Sequence, residues 1–241
     1  MSMQPAQNKT IRTQLLSDMQ DGIYSTCERL PRESVLAETL GISRTQLRDI
    51  LASLEREGFI TRRHGVGTII NRHVLEVHTR MDIEVEFLEM IRRNGHRPAV
   101  AYVQVYDDRA DAKIASQLRI AEGAPVLRVA RLCTADGAPA IYCEDVVDKS
   151  LVKAEYTADD LKQPIFHFLH QFCDVYPYLD LADIRAVSAD AALSQIFCIP
   201  EGAPLLNIDE VDYDIDGNPV FCSMEYFADG YFHHAVMRKK L

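Results

Sequence analysis

The chain has 241 residues, 26 Lys and Arg against 36 Asp and Glu, and a formal net charge of −10. That length is too great for one small module and fits two domains, while the net acidity excludes general coating of nucleic acid. No apolar run is long enough for a transmembrane helix and the polar N-terminus is not a signal peptide, so no membrane association and a cytoplasmic location are expected.

The charge is unevenly spread. Residues 1–75 hold ten Lys/Arg against eight Asp/Glu, and the remainder hold sixteen against twenty-eight. A surface that attracts a polyanion is therefore sought in the first third. Ile11, Leu15 and Met19 give a first amphipathic helix. Leu30-Pro31 opens a second, carried by Val35, Leu36 and Leu40 and stopped by Gly41. Ser43 and Gln46 stand at capping-box spacing, and Leu47, Ile50, Leu51 and Leu54 then form the stripe of a third helix. Arg44, Thr45 and Arg48 stay off that stripe. After Gly58 the period changes: Phe59–Arg63 and Thr68–Asn71 read as two short strands around His64-Gly65-Val66-Gly67.

Two helices joined at a glycine turn, the second with an exposed polar N-terminus, make a helix-turn-helix pattern. A helix in the major groove needs arginine forks for guanine edges or phosphates, with small polar side chains beside them. Arg62, Arg63 and His64 at the hairpin tip would reach phosphates or the minor groove. Periodicity alone leaves a second reading open, in which these charges are merely solvated.

Residues from about Lys9 to Asn71 resemble the winged-helix domain of the GntR family of bacterial transcription regulators. The landmarks are Leu30-Pro31 with Glu33, Leu36-Ala37, Gly41-Ile42-Ser43-Arg44-Thr45, Leu47-Arg48, Leu51, Leu54-Glu55, Glu57-Gly58, and His64-Gly65 with Gly67-Thr68. The resemblance implies binding to double-stranded DNA, with Ser43, Arg44, Thr45, Gln46 and Arg48 in or beside the major groove and His64 and Gly65 at the wing, to which the reading of the hairpin tip adds Arg63. The family usually has an arginine where this chain has Ser34; Arg32 lies close by, at the wrong spacing for a simple exchange. Arg32 and Ser34 complete the candidate DNA set.

The larger part of the chain carries an internal repeat. Ser116–Asp145 and Ser194–Glu225 both run helix end, Glu-Gly-Ala-Pro, apolar strand, a turn with Asp-Gly, then Pro and another strand. A duplicated helix-plus-hairpin unit predicts one antiparallel sheet with packed helices, an α+β domain. Further strands near Val100–Val105 and Asp183–Val187, and helices near Val85–Asn94, Ala110–Leu118 and Ile165–Phe172, fill it out. The expected domains are residues 1–71, a linker over 72–79, and residues 80–241.

From about Met81 to Val236 the chain resembles the UTRA domain that defines the HutC-type branch of GntR regulators, whose fold is like that of chorismate lyase. The landmarks are Phe87–Gly95, the paired Glu-Gly-Ala-Pro units, Arg131-Leu132, Asp136-Gly137 with Pro139, Asp216-Gly217 with Pro219, and Tyr226-Phe227 with Asp229. The resemblance implies a homodimeric regulator, usually a repressor, whose affinity for a near-palindromic operator changes when a small-molecule effector binds the C-terminal domain.

Alternation over Val126–Cys133 places Arg131 on an apolar face, where an unpaired guanidinium would be costly. One reading is a clamp for an anionic group of the effector, the role that the resemblance gives it. The other is an internal ion pair with Glu210, the equivalent residue of the second repeat. Phosphosugar-binding members typically carry a second arginine at Cys133, often a serine at Glu86 and an arginine at Ala228. With those anion donors absent, a sugar phosphate is not expected. A neutral, zwitterionic or cationic metabolite fits better, with Glu86, Glu144 and Tyr226 as candidate partners.

Two other classes remain to be weighed. The fold implied by the resemblance also fits a lyase or hydrolase fused to a DNA-binding domain, but no nucleophile, base or metal constellation stands out. His167 and His170 share a helix face without a partner at diagnostic spacing. The six cysteines are scattered without a CxxC pair, so reduced thiols, no metal and no cofactor are expected. A ligand-independent DNA-binding protein would show a DNA affinity unmoved by metabolites.

Overall fold

The computed structural model describes residues 3–238 and divides into two compact units. The first unit takes the chain to Ile83 and recovers it from His234; the second runs over Glu84–His233.

In the first unit, α1 (Met3–Gln20), α2 (Glu33–Leu40) and α3 (Arg44–Arg56) are followed by an antiparallel hairpin, β1 (Ile60–Arg63) and β2 (Gly67–Ile70). The predicted stripes meet in one core: Leu15 and Met19 of α1, Leu36 of α2, and Leu47, Ile50, Leu51 and Leu54 of α3 are buried together with Ile60 and Ile70 of the hairpin. Gly41 ends α2 at φ +65°, a left-handed turn that costs glycine nothing and lets α3 start three residues later.

Leu30-Pro31 does not open α2. The helix begins at Glu33, because Glu28–Leu30 is extended and pairs with the hairpin. Leu30 N–H donates to the Thr68 carbonyl, and Ile70 N–H to the Glu28 carbonyl, both at 2.9 Å. A residue before proline favours this extended backbone over the helical one.

The stretch expected as a linker, residues 72–79, is folded into the first unit. Arg72–Leu75 forms one helical turn, α4, whose Val74 and Leu75 are buried in the same core. The Arg72 guanidinium donates to the carbonyls of Met19, Tyr24 and Cys27, the last at 2.6 Å. Arg72→Ala strips donors from three carbonyls and is expected to cost about 2 kcal/mol of stability, measurable by urea denaturation.

The second unit holds β4 (Pro98–Arg109), α6 (Ala112–Leu118), β5 (Pro125–Ala135) and β6 (Ala138–Asp148), preceded by α5 (Phe87–Arg93). The short helix α7 (Ile165–Phe168) follows and widens into a π-turn over Leu169–Cys173; then come β7 (Leu179–Ser188), α8 (Ala191–Phe197), β8 (Pro204–Tyr213) and β9 (Pro219–Ala228). The six strands form one antiparallel sheet in the order β4-β5-β6-β9-β8-β7. The repeat thus becomes a two-fold-like sheet, with β6 and β9 paired at its centre. Its local bonds recur as well. Asp111 caps α6 by accepting the Ile114 N–H, and Asp190 caps α8 by accepting the Leu193 N–H, both at 2.8 Å.

The two hairpins differ. Asp136 and Gly137 both take positive φ, 53° and 88°, as a two-residue turn requires. The second repeat instead spans five residues, where the Asp214 carboxylate accepts the N–H groups of Asp216 and Asn218. A parallel bridge closes the first unit: β3 (Thr79–Arg80) pairs with β10 (His234–Ala235). The boundary expected at residue 80 therefore moves to Ile83, and the end of the chain does not belong wholly to the second unit.

Candidate functional site

Ser43 caps α3, its Oγ accepting the Gln46 N–H at 3.1 Å. The reciprocal half of the capping box does not form. Gln46 Nε2 donates instead to Asn8 Oδ1 at 2.7 Å, which makes Gln46 a brace to α1 in this structure rather than a free donor. Ser43, Arg44, Thr45 and Arg48 are exposed. Arg48 Nε donates to Glu33 Oε2 at 2.9 Å, so α3 is bridged to the start of α2, where Arg32 and Ser34 are also exposed. An exposed pair of this kind is worth at most about 1 kcal/mol, and a stronger acceptor can displace it.

At the hairpin tip Arg63, His64 and Gly65 are exposed. Arg62 is turned back, with its N–H and its Nε both donating to Glu55 at 2.8 Å; it braces the wing rather than extending it. Arg29 escaped the sequence reading. It is exposed and its Nη1 donates to the Val66 carbonyl at 3.2 Å, beside the tip. The signal was available, because Leu30-Pro31 forces the extended backbone that pairs Arg29 with the hairpin.

In the second unit the residues expected around an effector do not form one cluster but divide between the two faces of the sheet, Arg131 and Glu86 on one and Glu144 and Tyr226 on the other. Strand pairing puts Arg131 opposite Cys143 and Val129 opposite Asp145, so Cys143 and Asp145 share Arg131's face. Through β9 and β8 that face continues to Ser223, Glu225, Glu210 and Asp212. Glu144 and Tyr226 point to the other face. There Glu144 accepts from Tyr106 Oη and Arg128 Nη1, both at 2.9 Å, and Tyr226 stacks on Tyr142. Glu86 caps α5 by accepting the Glu89 N–H at 3.1 Å. It lies near Cys133, whose thiol burial pushes up to about 12, with Arg131 opposing and Glu86 adding.

Arg131 is 5% exposed and is held internally. Its Nη1 faces Asp145 Oδ2 at 3.5 Å, and its Nη2 donates to the carbonyls of Leu161 and Gln163 at 3.1 and 2.9 Å. The internal partner of Arg131 is thus Asp145, not Glu210. The other Asp145 oxygen accepts from Ser223 Oγ at 2.9 Å. Burial raises Asp145 above the usual carboxylate range, and Arg131 and Ser223 offset part of that rise.

The same face is rich in carboxylates. Burial raises Glu210 to about 8, with Glu84 and Asp180 adding; Glu225 is driven well up by burial and by Glu210. The two lie within side-chain hydrogen-bonding reach, so one must carry a proton. Burial, then Glu210, lifts Asp212 to about 9. Burial and the carboxylates of Asp180 and Asp145 push Glu84 up to about 7, although that residue keeps an exposed edge. Asp212 Oδ2 and Arg131 Nε are buried without a hydrogen-bond partner.

The sequence matches "Bacterial regulatory proteins, gntR family" over residues 7–70 and "UTRA domain" over residues 93–233. The chain belongs to the GntR family of bacterial transcription regulators, in its UTRA-bearing, HutC-type branch. Among its relatives, YurK of Bacillus subtilis is 24% identical over 87% of this chain and 86% of its own length. The histidine utilization repressor of Pseudomonas aeruginosa is 26% identical over 82% of this chain and 78% of its own. The solved structure of the possible regulator YydK from B. subtilis superposes with a TM-score of 0.75 at 17% identity, covering 97% of this chain and 99% of that one. PhnF from Mycobacterium smegmatis gives 0.60 at 19%, covering 96% and 100%. These superpositions fix the fold, a GntR helix-turn-helix unit and an α+β UTRA sheet. The GntR regulator's relatives are named transcription regulators, not enzymes.

Proposed function

We propose that this GntR regulator is a homodimeric repressor that binds a near-palindromic DNA operator and is released by a small metabolite held in the UTRA domain. The observation that carries the DNA half is the exposed start of α3. Arg44 and Arg48 stand free of the core stripe while Leu47, Ile50, Leu51 and Leu54 anchor the helix beneath them. Arg32, Ser34, Ser43 and Thr45 flank them, and Arg63, His64, Gly65 and Arg29 supply the wing. The repressor role follows the relative named a histidine utilization repressor. A dimer matches a two-fold operator, because each recognition helix then reads one half-site. No helix among the described residues is long and apolar enough to cross a membrane, in keeping with a protein that works beside the chromosome in the cytoplasm.

A sugar phosphate is a poor fit for the effector. Arg131 is already engaged by Asp145 and two carbonyls, and the carboxylates around it would repel a dianion. The coupling requires the effector to bind the DNA-competent and DNA-incompetent arrangements with different affinity.

The test begins with selection of bound duplexes from a random library, followed by fluorescence anisotropy on the winner. Arg44→Ala or Arg48→Ala is expected to weaken binding by on the order of 1–3 kcal/mol on that duplex, with a smaller loss on scrambled DNA. Equal loss on both would assign that arginine to phosphate. Failure to enrich any duplex would sink the DNA-reading assignment.

A further inference from the structure

The face of the UTRA sheet that carries Arg131 has one cation and four carboxylates at its buried centre. Asp145, Glu210, Asp212 and Glu225 are all at most 8% exposed. Arg131 is matched by Asp145, and Glu210 and Glu225 can share one proton. Asp212 has no such relief. It is 1% exposed, its Oδ2 has no hydrogen-bond partner, and strand parity aims it along the same face as Glu210 and Ser223.

A buried carboxyl oxygen without a hydrogen-bond partner is costly and calls for an explanation, and a bound group that supplies the missing bond is one. The missing partner is a hydrogen-bond donor, and beside three further buried carboxyls a cationic donor gains the most. No group of His, Cys, Asp and Glu side chains among the described residues has the geometry to hold a metal ion. An organic cation fits what remains: it brings several N–H donors, and its charge favours ionisation of the buried carboxyls it meets, after which its bonds to them are the stronger, charge-assisted kind.

We infer that the effector of this regulator is an organic cation, an amine or amidine whose charged nitrogen is received by Asp212 with Glu210 and Glu225 beside it. The inference rests on the reading of the UTRA domain as an effector site, and names the chemistry that the site selects.

The test is a thermal-shift and calorimetric titration of the full-length protein with matched probes. The cations are 1,4-diaminobutane, agmatine and histamine; the neutral and anionic counterparts are 1,4-butanediol and succinate, with glucose 6-phosphate as the phosphosugar. At least one cation is expected to raise the melting temperature by a few degrees, with its affinity falling about tenfold or more in Asp212→Asn. Asp216→Asn, on the exposed β8–β9 loop, is expected to leave that affinity unchanged and so controls for loose binding to an acidic surface. Asp212→Asn keeps the side-chain shape and, like the protonated carboxyl it replaces, is neutral, so the variant remains folded. A panel without a cation response, a response limited to neutral or anionic probes, or one equally strong in Asp212→Asn would overturn the inference. The DNA readout separates the two readings. A cation bound through Asp212 that leaves operator affinity unchanged defeats effector control but not the cation site; a neutral probe that releases DNA does the reverse.

Discussion

Arg131→Met is expected to destabilise the protein by about 3–5 kcal/mol. The guanidinium faces Asp145, which is 2% exposed, and ties down the carbonyls of Leu161 and Gln163 in the segment leading into α7. Methionine fills much of the volume but leaves Asp145 charged and buried with only Ser223 as donor. Adding Asp145→Asn removes the orphaned charge, and the double variant should recover a substantial part of the loss. The non-additivity, read from urea midpoints, isolates the pair. An Arg131→Met protein of unchanged stability that had lost only effector affinity would restore the anion-clamp reading.

The second large effect is on pH. Asp212 is raised to about 9 and Glu210 to about 8, so each keeps a proton in the native state that the unfolded chain releases near pH 4. The stability that depends on these protons is fully present below the unfolded value and is lost as pH climbs toward the folded one. Between pH 6 and pH 8 the free protein should therefore lose on the order of 2–5 kcal/mol, at about 1.4 kcal/mol per pH unit for each group. Asp212→Asn should flatten the slope by about one group's worth and stabilise the protein at pH 8. Urea midpoints at pH 6, 7 and 8 decide it: a profile equally flat in the parent and the variant would remove Asp212 as a protonated carboxyl. A cationic effector would reverse part of the trend, since it favours the ionised site.

The parts of this fold that were legible in the sequence are those set by near neighbours. The Ser43 cap, the Leu47–Leu54 stripe, the Gly41 stop and the Asp136-Gly137 turn each depend on a handful of adjacent residues, and each formed as read. What escaped depends on register. From Asp136-Gly137 the hairpin starts with Ala135 opposite Ala138 and Thr134 opposite Pro139; continued unbroken, it would put Glu144 on Arg131's face. An irregularity after Thr134 inserts Ala140, so that Cys133 meets Ile141 and Arg131 meets Cys143. That single inserted residue turns Glu144 outward and brings Asp145 in. The second repeat does the same after Pro219, where Val220 is the extra residue. Proline cannot donate to the ladder, so a break beside it has a local cause, but its effect on residues five positions away is visible only once both strands are paired. Glu210, one of the two alternatives weighed for Arg131, is not its partner for a related reason: the repeat makes the two residues equivalent, and equivalence across a two-fold is not proximity.

The β3–β10 bridge makes the first unit discontinuous in sequence: the chain leaves it at Ile83–Glu84 and returns by a second tether at His233–His234, so that unit is complete only after the six-stranded sheet has been traversed. A fragment ending at residue 75 or 83 would surrender both the second tether and the strand that closes the DNA-reading unit.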